Sequence, residues 1–282
     1  MKPNQEARVD LHTHTTASDG LLSPHALVQL AAERGLVAIA ITDHDSVAGV
    51  AEAHAAGKAC GVEVVPGVEL SASGRNSEIH VLGFFVDPES CSFQEALAQL
   101  RRMRFQRAEA MVARLNKLGV ALRMEQVVAL AGDTAIGRPH VAQALVAGGL
   151  APSFPEAFAR YLKRNGPAWV AKQNFAAAEA LAVIHRAGGV AVVAHPTHGP
   201  SPSELRAMVA AGLDGIEVRH PLLSASDTDR FTRLAETYKL VRSGGSDYHG
   251  VGRSHCDLGS LNVTANLLEA LRARRPATAG CL

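Results

Sequence analysis

The chain is poor in aromatic side chains, which make up 4% of its 282 residues. Its core must therefore be built mainly from Ala, Val, Leu and Ile, and an apolar fraction of 47% is ample for one. Cysteine is scarce as well. Cys60, Cys91, Cys256 and Cys281 lie far apart and none has C-x-x-C spacing, so neither a zinc ribbon nor a disulfide framework is indicated. No apolar run approaches the roughly 20 residues of a membrane span, and the first ten residues hold no apolar signal core. These absences predict a reduced, cytoplasmic protein with no membrane association, and nothing in them implies a stable protein partner. A net charge of +1 also lacks the strong positive excess of a general nucleic-acid coat.

The near-neutral total hides an asymmetry. Residues 91–172 hold twelve Lys and Arg against five Asp and Glu, whereas the remainder holds sixteen against twenty-two. A basic middle set in an acidic body suggests a metal-loving scaffold and a separate element that meets an anion.

Short β-rich runs are expected at 8–12, 37–42, 63–70, 79–85, 190–194, 215–218 and 240–243. Helical patterns separate many of them, at 24–34, 47–59, 176–187, 203–211 and 225–238. Ser23 before Pro24 is an N-cap signal, and Gly35 and Gly212 are C-terminal signals. Such alternation predicts an α/β fold with a parallel sheet or barrel, one strand short of the usual eight. The alternation breaks between about 90 and 172, where helices alone are expected. Ser92 is read as the cap of a long helix to Leu118, with a stripe of Leu97, Leu100, Ala108, Met111, Leu115 and Leu118. Arg104 falls within that stripe, so it needs a partner or a watery cleft. Further helices are expected at 124–130, 139–147 and 155–164. The domain reading is a barrel from 1–90 and 173–282, with a helical, basic insertion at 91–172 over one mouth.

His12 and His14 are two residues apart at a strand end, so both rings leave one face and can approach one ion. Asp19 follows on the loop. H-x-H alone fits polar surface equally well, but the pattern recurs at strand after strand. Thr42 to Asp45 brings His44, Gly67 to Glu69 brings a carboxylate, and a very apolar fourth strand holds His80. His195 ends the fifth strand, His220 follows the sixth, and Asp247 and His249 follow the seventh. Active sites of α/β barrels lie at strand ends on the C-terminal face. A lone His is more often hydrogen-bonded core than ligand, and a lone Asp more often a helix cap. Gathered together they would be costly to bury unless cations compensate them. Mixed His and carboxylate donors fit Mn2+, Zn2+ or Fe2+. His25, His54 and His185 read as exposed helix residues, and His198, His220 and His255 stay unassigned, His220 standing nearest the site.

These ordered motifs resemble the PHP family, named for its polymerase and histidinol phosphatase members. The resemblance implies a distorted seven-stranded (βα) barrel with a trinuclear metal site, Mn2+ being the expected ion. It places His12 and His14 with Glu69 and Asp247 at one ion. Glu69 would bridge to a second ion held by His80 and His195, and Asp19, His44 and His249 would hold a third. Glu69, His195 and Asp247 are the implied catalytic positions. Within the family, the chain is similar to bacterial members with a helical insertion that remove the 3′-phosphate of nucleoside 3′,5′-bisphosphates. For adenosine 3′,5′-bisphosphate the product is AMP, through attack of a hydroxide that bridges the ions.

On that reading Arg102, Arg104, Arg138 and His140 bind the substrate, since the guanidinium fork suits phosphate. The bland alternative puts Arg101, Arg102 and Arg107 on a solvated helix face, and makes Arg138 and His140 trim before a helix. Three other functions stay open: a 5′–3′ exoribonuclease on short RNA, a histidinol phosphatase, and a non-catalytic metal-binding module. The basic insertion disfavours the cationic histidinol phosphate.

Overall fold

The computed structural model describes residues 6–74, 78–132, 134–173, 175–197 and 199–276. The chain forms two compact units, Met1–Ala96 with Asn174–Leu282, and Leu97–Gln173. From the N-terminus the first unit runs β1 (Val9–Asp10), α1 (Pro24–Glu33), β2 (Ala38–Ile41), α2 (Val50–Cys60), β3 (Glu63–Ser73) and β4 (Glu78–Phe84). Next come α3 (Cys91–Lys117), α4 (Met124–Ala131), α5 (Arg138–Ala147) and the short α6 (Phe154–Ala157), which continues as a π-helical turn over Phe158–Leu162. The first unit resumes with α7 (Ala177–Arg186), β5 (Val190–Val193), α8 (Pro202–Ala210), β6 (Gly215–Arg219), α9 (Ala225–Tyr238), β7 (Val241–Gly244) and α10 (Ala265–Ala273).

The seven strands pair in sequence order. The sheet is nearly closed into a barrel: the Leu11 N–H donates to the Gly244 carbonyl at 3.3 Å and the His14 N–H to the Tyr248 carbonyl at 2.9 Å. β2 and β5, with sequences AIAI and VAVV, are buried throughout, as strands covered on both faces must be. The core is aliphatic, as the shortage of aromatics predicts, with Leu11, Val65, Leu82, Val192 and Leu268 in one cluster with Phe84.

One departure from the expected parallel order matters for the site. β4 runs antiparallel to both β3 and β5, while all other neighbours are parallel. Only residues 74–77 link β3 to β4. A parallel return needs a crossover of a dozen or more residues, so so short a link allows only a hairpin. His80 therefore lies near the start of its strand, paired with Ser71. Glu69 lies within β3, which runs on to Ser73, rather than at its end.

Local signals explain most helix boundaries. Ser23 Oγ accepts the Ala26 N–H at 3.1 Å, and Gly35 and Gly212 adopt the left-handed region just past α1 and α8. α10 was absent from the sequence reading. Its Leu268 and Leu271 are fully buried, and each contributes on the order of 2 kcal/mol of apolar burial. Asp214 ties the outer layer together. Its Oδ2 sits 2.7 Å from His185 Nε2 and accepts the Ala191 N–H at 2.9 Å, while Oδ1 accepts from Arg274 Nε at 3.2 Å. His185 is thus half-buried and paired, and His54 is partly buried, whereas His25 is exposed as expected.

The second unit has its own core, including Met111, Leu115, Leu122, Val127, Val141, Leu145 and Leu162. Three expectations for α3 need correction. The helix begins at Cys91, which puts Ser92 inside the first turn rather than at the cap. It ends at Lys117, so Leu118 leaves the stripe and is 49% exposed. Arg107 is buried, with Nε donating to the Val170 carbonyl at 2.8 Å, and so is not part of a solvated face.

Candidate metal centre

The segment leaving β1 is fixed before any ligand is considered. Thr13 Oγ1 donates to the Ala40 carbonyl at 2.6 Å, and the Thr13 N–H donates to Thr42 Oγ1 at 3.1 Å. Buried Asp43 accepts from Thr15 N at 2.8 Å, Thr15 Oγ1 at 2.7 Å and Ser18 Oγ at 2.6 Å. That bracket folds residues 15–20 into the turn that carries Asp19. Asp10 does similar work, accepting the N–H groups of Ser246 and Gly259, both at 2.9 Å. Burial raises the carboxyls of both Asp10 and Asp43 above their ordinary range, against the hydrogen bonds they accept.

On this frame Glu69 is the hub. Its Oε2 lies 3.4 Å from His12 Nε2, 3.2 Å from His14 Nε2 and 3.0 Å from His44 Nδ1. Its Oε1 lies 2.6 Å from His80 Nδ1 and 2.9 Å from His195 Nε2. Asp247 Oδ1 faces the same two β1 histidines, 3.4 Å from His12 Nε2 and 3.1 Å from His14 Nε2. His249 Nε2 stands 3.3 Å from Asp19 Oδ1. All nine side chains expected from the motifs are brought together.

Their grouping differs slightly from the expected one. His12, His14, Glu69 and Asp247 offer atoms within 4.8 Å of one another, as expected. Asp19, His44 and His249 form a second such group that also includes His14. Glu69 and His80 group with His44, while His195 meets them through Glu69 Oε1.

Several donor atoms at the centre are buried and make no hydrogen bond among the described residues: His12 Nε2, both ring nitrogens of His14, Asp19 Oδ1 and Glu69 Oε2. Buried polar atoms normally find partners. Orphans from imidazoles and carboxylates, converging on one spot, are what a set of divalent cations satisfies, so the residues fit metal ions. The carboxylates already draw positive charge. Burial pushes Glu69 up, but His44, His80 and His12 outweigh it and hold the carboxyl well below its usual range. Asp247 and Asp19 behave alike, with His12 acting on the former and His44 on the latter. In turn His14, which burial would depress, is raised to about 10 by Asp247 and Glu69.

Backbone strain also concentrates here. Asp45, His195 and Asp247 have φ of 49°, 26° and 52°, a region that costs a non-glycine residue on the order of 1–3 kcal/mol. The surroundings hold them: the Asp45 N–H donates to the Glu69 carbonyl at 3.1 Å, and Asp45 Oδ1 accepts the Ser71 N–H at 2.9 Å.

His220, unassigned from sequence, is buried beside the cluster with Nε2 3.4 Å from Asp247 Oδ2. Its Nδ1 accepts the Leu222 N–H at 3.2 Å, so a neutral ring carries its proton on Nε2, facing Asp247. Glu217 was missed. It is a carboxylate between Ile216 and Val218 in a buried strand, and a charge in such a run demands a partner. His255 is exposed, and His198 lies outside the described residues.

In the second unit, Arg102 is exposed, Arg104 and Arg138 are partly buried and His140 is buried. His140 Nδ1 accepts the Gly137 N–H at 3.0 Å and so caps α5. The Arg104 guanidinium lies against Gly137, 3.5 Å from where a Cβ there would sit.

A seven-stranded barrel with histidines and carboxylates gathered at one end defines a metal-dependent phosphoesterase of the PHP type. The chain belongs to the PHP family: residues 10–167 match the PHP domain. It is 38% identical over 250 residues to the 5′-3′ exoribonuclease Rnm of Escherichia coli, covering 85% of this chain and 84% of that one. It is 34% identical over 259 residues to the 3′,5′-nucleoside bisphosphate phosphatase of Chromobacterium violaceum, covering 90% and 91%. Among solved structures, a metal-dependent phosphoesterase from Bifidobacterium adolescentis superposes with a TM-score of 0.89 at 33% identity, covering 98% of this chain and 99% of that one.

Proposed function

We propose that this PHP phosphoesterase is a phosphomonoesterase that removes the 3′-phosphate of nucleoside 3′,5′-bisphosphates, with Mn2+ as its ion. The observation that carries the reading is the complete donor set around Glu69, whose two oxygens face five histidines. Divalent ions bound there supply charge for the phosphoryl oxygens and a lowered pKa for water. The chain's residues do the rest. Glu69, His195 and Asp247 fix the ions, with Asp19, His12, His14, His44, His80 and His249 completing their shells. Partial exposure of His44, His80, His195, Asp247 and His249 leaves one side of the cluster open to an incoming phosphate. His220 Nε2 steadies Asp247.

The substrate is a small dianion at each end, and the basic helical unit suits its second phosphate. We assign Arg104 and Arg138 to it, and Arg102 and His140 as further contacts. Support comes from the net positive charge of residues 91–172 and from the phosphatase relative that matches along nearly its whole length. A second reading, stepwise 5′–3′ cleavage of short RNA, is favoured by the likeness to the Escherichia coli exoribonuclease.

Three substrates compared with Mn2+ present decide between them: adenosine 3′,5′-bisphosphate, a short 5′-phosphorylated RNA and histidinol phosphate. The proposal expects inorganic phosphate and AMP from the first at the highest kcat/KM. Mononucleotide release from RNA at a higher kcat/KM overturns it in favour of the nuclease. Arg138→Ala should raise KM for the bisphosphate about tenfold with kcat nearly kept, the scale of one lost charge-assisted hydrogen bond. An unchanged KM removes Arg138 from the substrate contacts.

A further inference from the structure

Glu217 stands outside the expected ligand set, yet it is fully buried in β6 with both carboxylate oxygens engaged. Oε1 is 3.1 Å from His12 Nδ1. Oε2 accepts the backbone N–H of His195 at 2.6 Å. The two partners face different oxygens of Glu69. His12 faces Glu69 Oε2 and Asp247, while His195 faces Glu69 Oε1.

We propose that Glu217 is a positioning residue that sets the ligand geometry of two metal positions at once, by orienting the His12 ring and holding the strained His195 backbone. The proposal rests on the metal dependence of the chain and not on the choice of substrate.

The chemistry follows from what a carboxylate can do. It only accepts hydrogen bonds, so the nitrogen facing it must carry a proton. With its proton on Nδ1, the neutral His12 ring has its lone pair on Nε2. That is the atom aimed at Glu69 and Asp247. An outer carboxylate that fixes tautomer and ring rotation in this way is a recurring feature of histidine–metal sites. The second oxygen acts on the backbone. His195 has φ of 26°, a conformation that a β-carbon disfavours. A short hydrogen bond from its N–H to a buried, charged acceptor holds it there. Both of its oxygens face nitrogens, one of them the His195 backbone N–H, an arrangement that suits a carboxylate, which only accepts.

A rival role is direct ligation. Glu217, His12 and His220 do offer atoms close enough to share an ion. That ion would have to take His12 through Nδ1, the nitrogen turned away from Glu69 and Asp247, and displace the contact between Nδ1 and Glu217 Oε1. The geometry favours the orienting role.

Glu217→Gln is the discriminating change. An amide has one acceptor oxygen and one donor nitrogen, whereas both partners of Glu217 are donors. Either one of the two contacts fails, or the His12 ring changes tautomer and moves its proton to Nε2, while shape is kept. Titration calorimetry of the ion-free protein with Mn2+ should show affinity weakened by about 10- to 100-fold, the usual cost of losing an outer partner of a metal ligand. Circular dichroism should show the folded spectrum retained. Unchanged Mn2+ affinity in the folded variant overturns the proposal, even if its Tm falls, because a merely structural residue behaves so. Independently of whether the variant folds, 15N spectra of the wild-type protein loaded with Zn2+ report the His12 ring. A protonated, hydrogen-bonded Nδ1 with a metal-bound Nε2 supports the proposal. Zn2+ bound through Nδ1 overturns it in favour of ligation by Glu217.

Discussion

Glu69→Ala protein is expected to retain its fold but to lose phosphoesterase turnover by about three orders of magnitude, the scale at which one preorganised electrostatic contact contributes to rate. Its metal content should fall at the same time. The size of the effect follows from how many atoms depend on one carboxylate. Five imidazoles lie within 3.4 Å of its two oxygens, the shortest contact being 2.6 Å. Removing the anion leaves those rings facing one another, with ring centroids as close as 4.7 Å between His14 and His44 and 4.9 Å between His80 and His195. Each ion drawn there would then meet more repulsion and one donor fewer. The measurements are initial rates with Mn2+ and elemental analysis of the dialysed protein. Wild-type turnover and full metal content in a folded Glu69→Ala protein would sink the metal-centred reading as a whole.

Gly245→Ala carries the second large effect, and for a steric rather than an electrostatic reason. A Cβ at this position would sit 2.3 Å from the His12 backbone nitrogen and 2.4 Å from its Cβ. These are atoms of a buried strand exit, so no flexible side chain can swing aside. Gly244 and Gly245 form the seam at which β7 meets β1, through the Leu11 to Gly244 hydrogen bond. Overpacking of this kind costs about 1–3 kcal/mol, which lowers Tm by roughly 2–12 °C in a chain of this size. Because His12 is the residue displaced, Mn2+ binding should weaken along with stability. A thermal melt and a metal titration on the same sample check both parts. A variant with wild-type Tm and affinity would show that the seam opens freely.

Much of the fold was legible because its elements obey local rules. Seven apolar runs became seven strands, and α9 occupies the span its pattern marks. Ser23, with its side-chain cap, shows why boundaries set by hydrogen-bonding chemistry can be read directly. The direction of β4 could have been read from the shortness of its link to β3, a chain-length constraint that periodicity does not register. Of the site, the nine residues on strand-end motifs were visible because histidines and carboxylates recur there. Glu217 was not, since it belongs to no pair or spacing, and its importance arises from two partners 205 and 22 residues away. Arg107 illustrates the opposite error. Its charge suggested solvent, but its Nε donates under cover to the Val170 carbonyl, 63 residues on. His140 shows a limit of residue type alone, because a histidine in the first turn of a helix can accept the N-cap N–H on the nitrogen that would otherwise face a phosphate.

The reversal of β4 has a consequence for the order in which the barrel forms. Glu69 and His80 are eleven residues apart on one hairpin, whereas the Asp10 and Ser246 contact that seats the β7 exit spans 236 residues. Loop-closure entropy rises with separation, and near contacts form before far ones. The Glu69 and His80 part of the cation cradle is thus a local product of one hairpin, available early. The part that sets His12 against Asp247 is completed only when the β7 exit meets β1. Tight ion capture therefore reports that the last seam of the barrel has shut, and a divalent cation added during refolding stabilises the finished fold rather than its precursors.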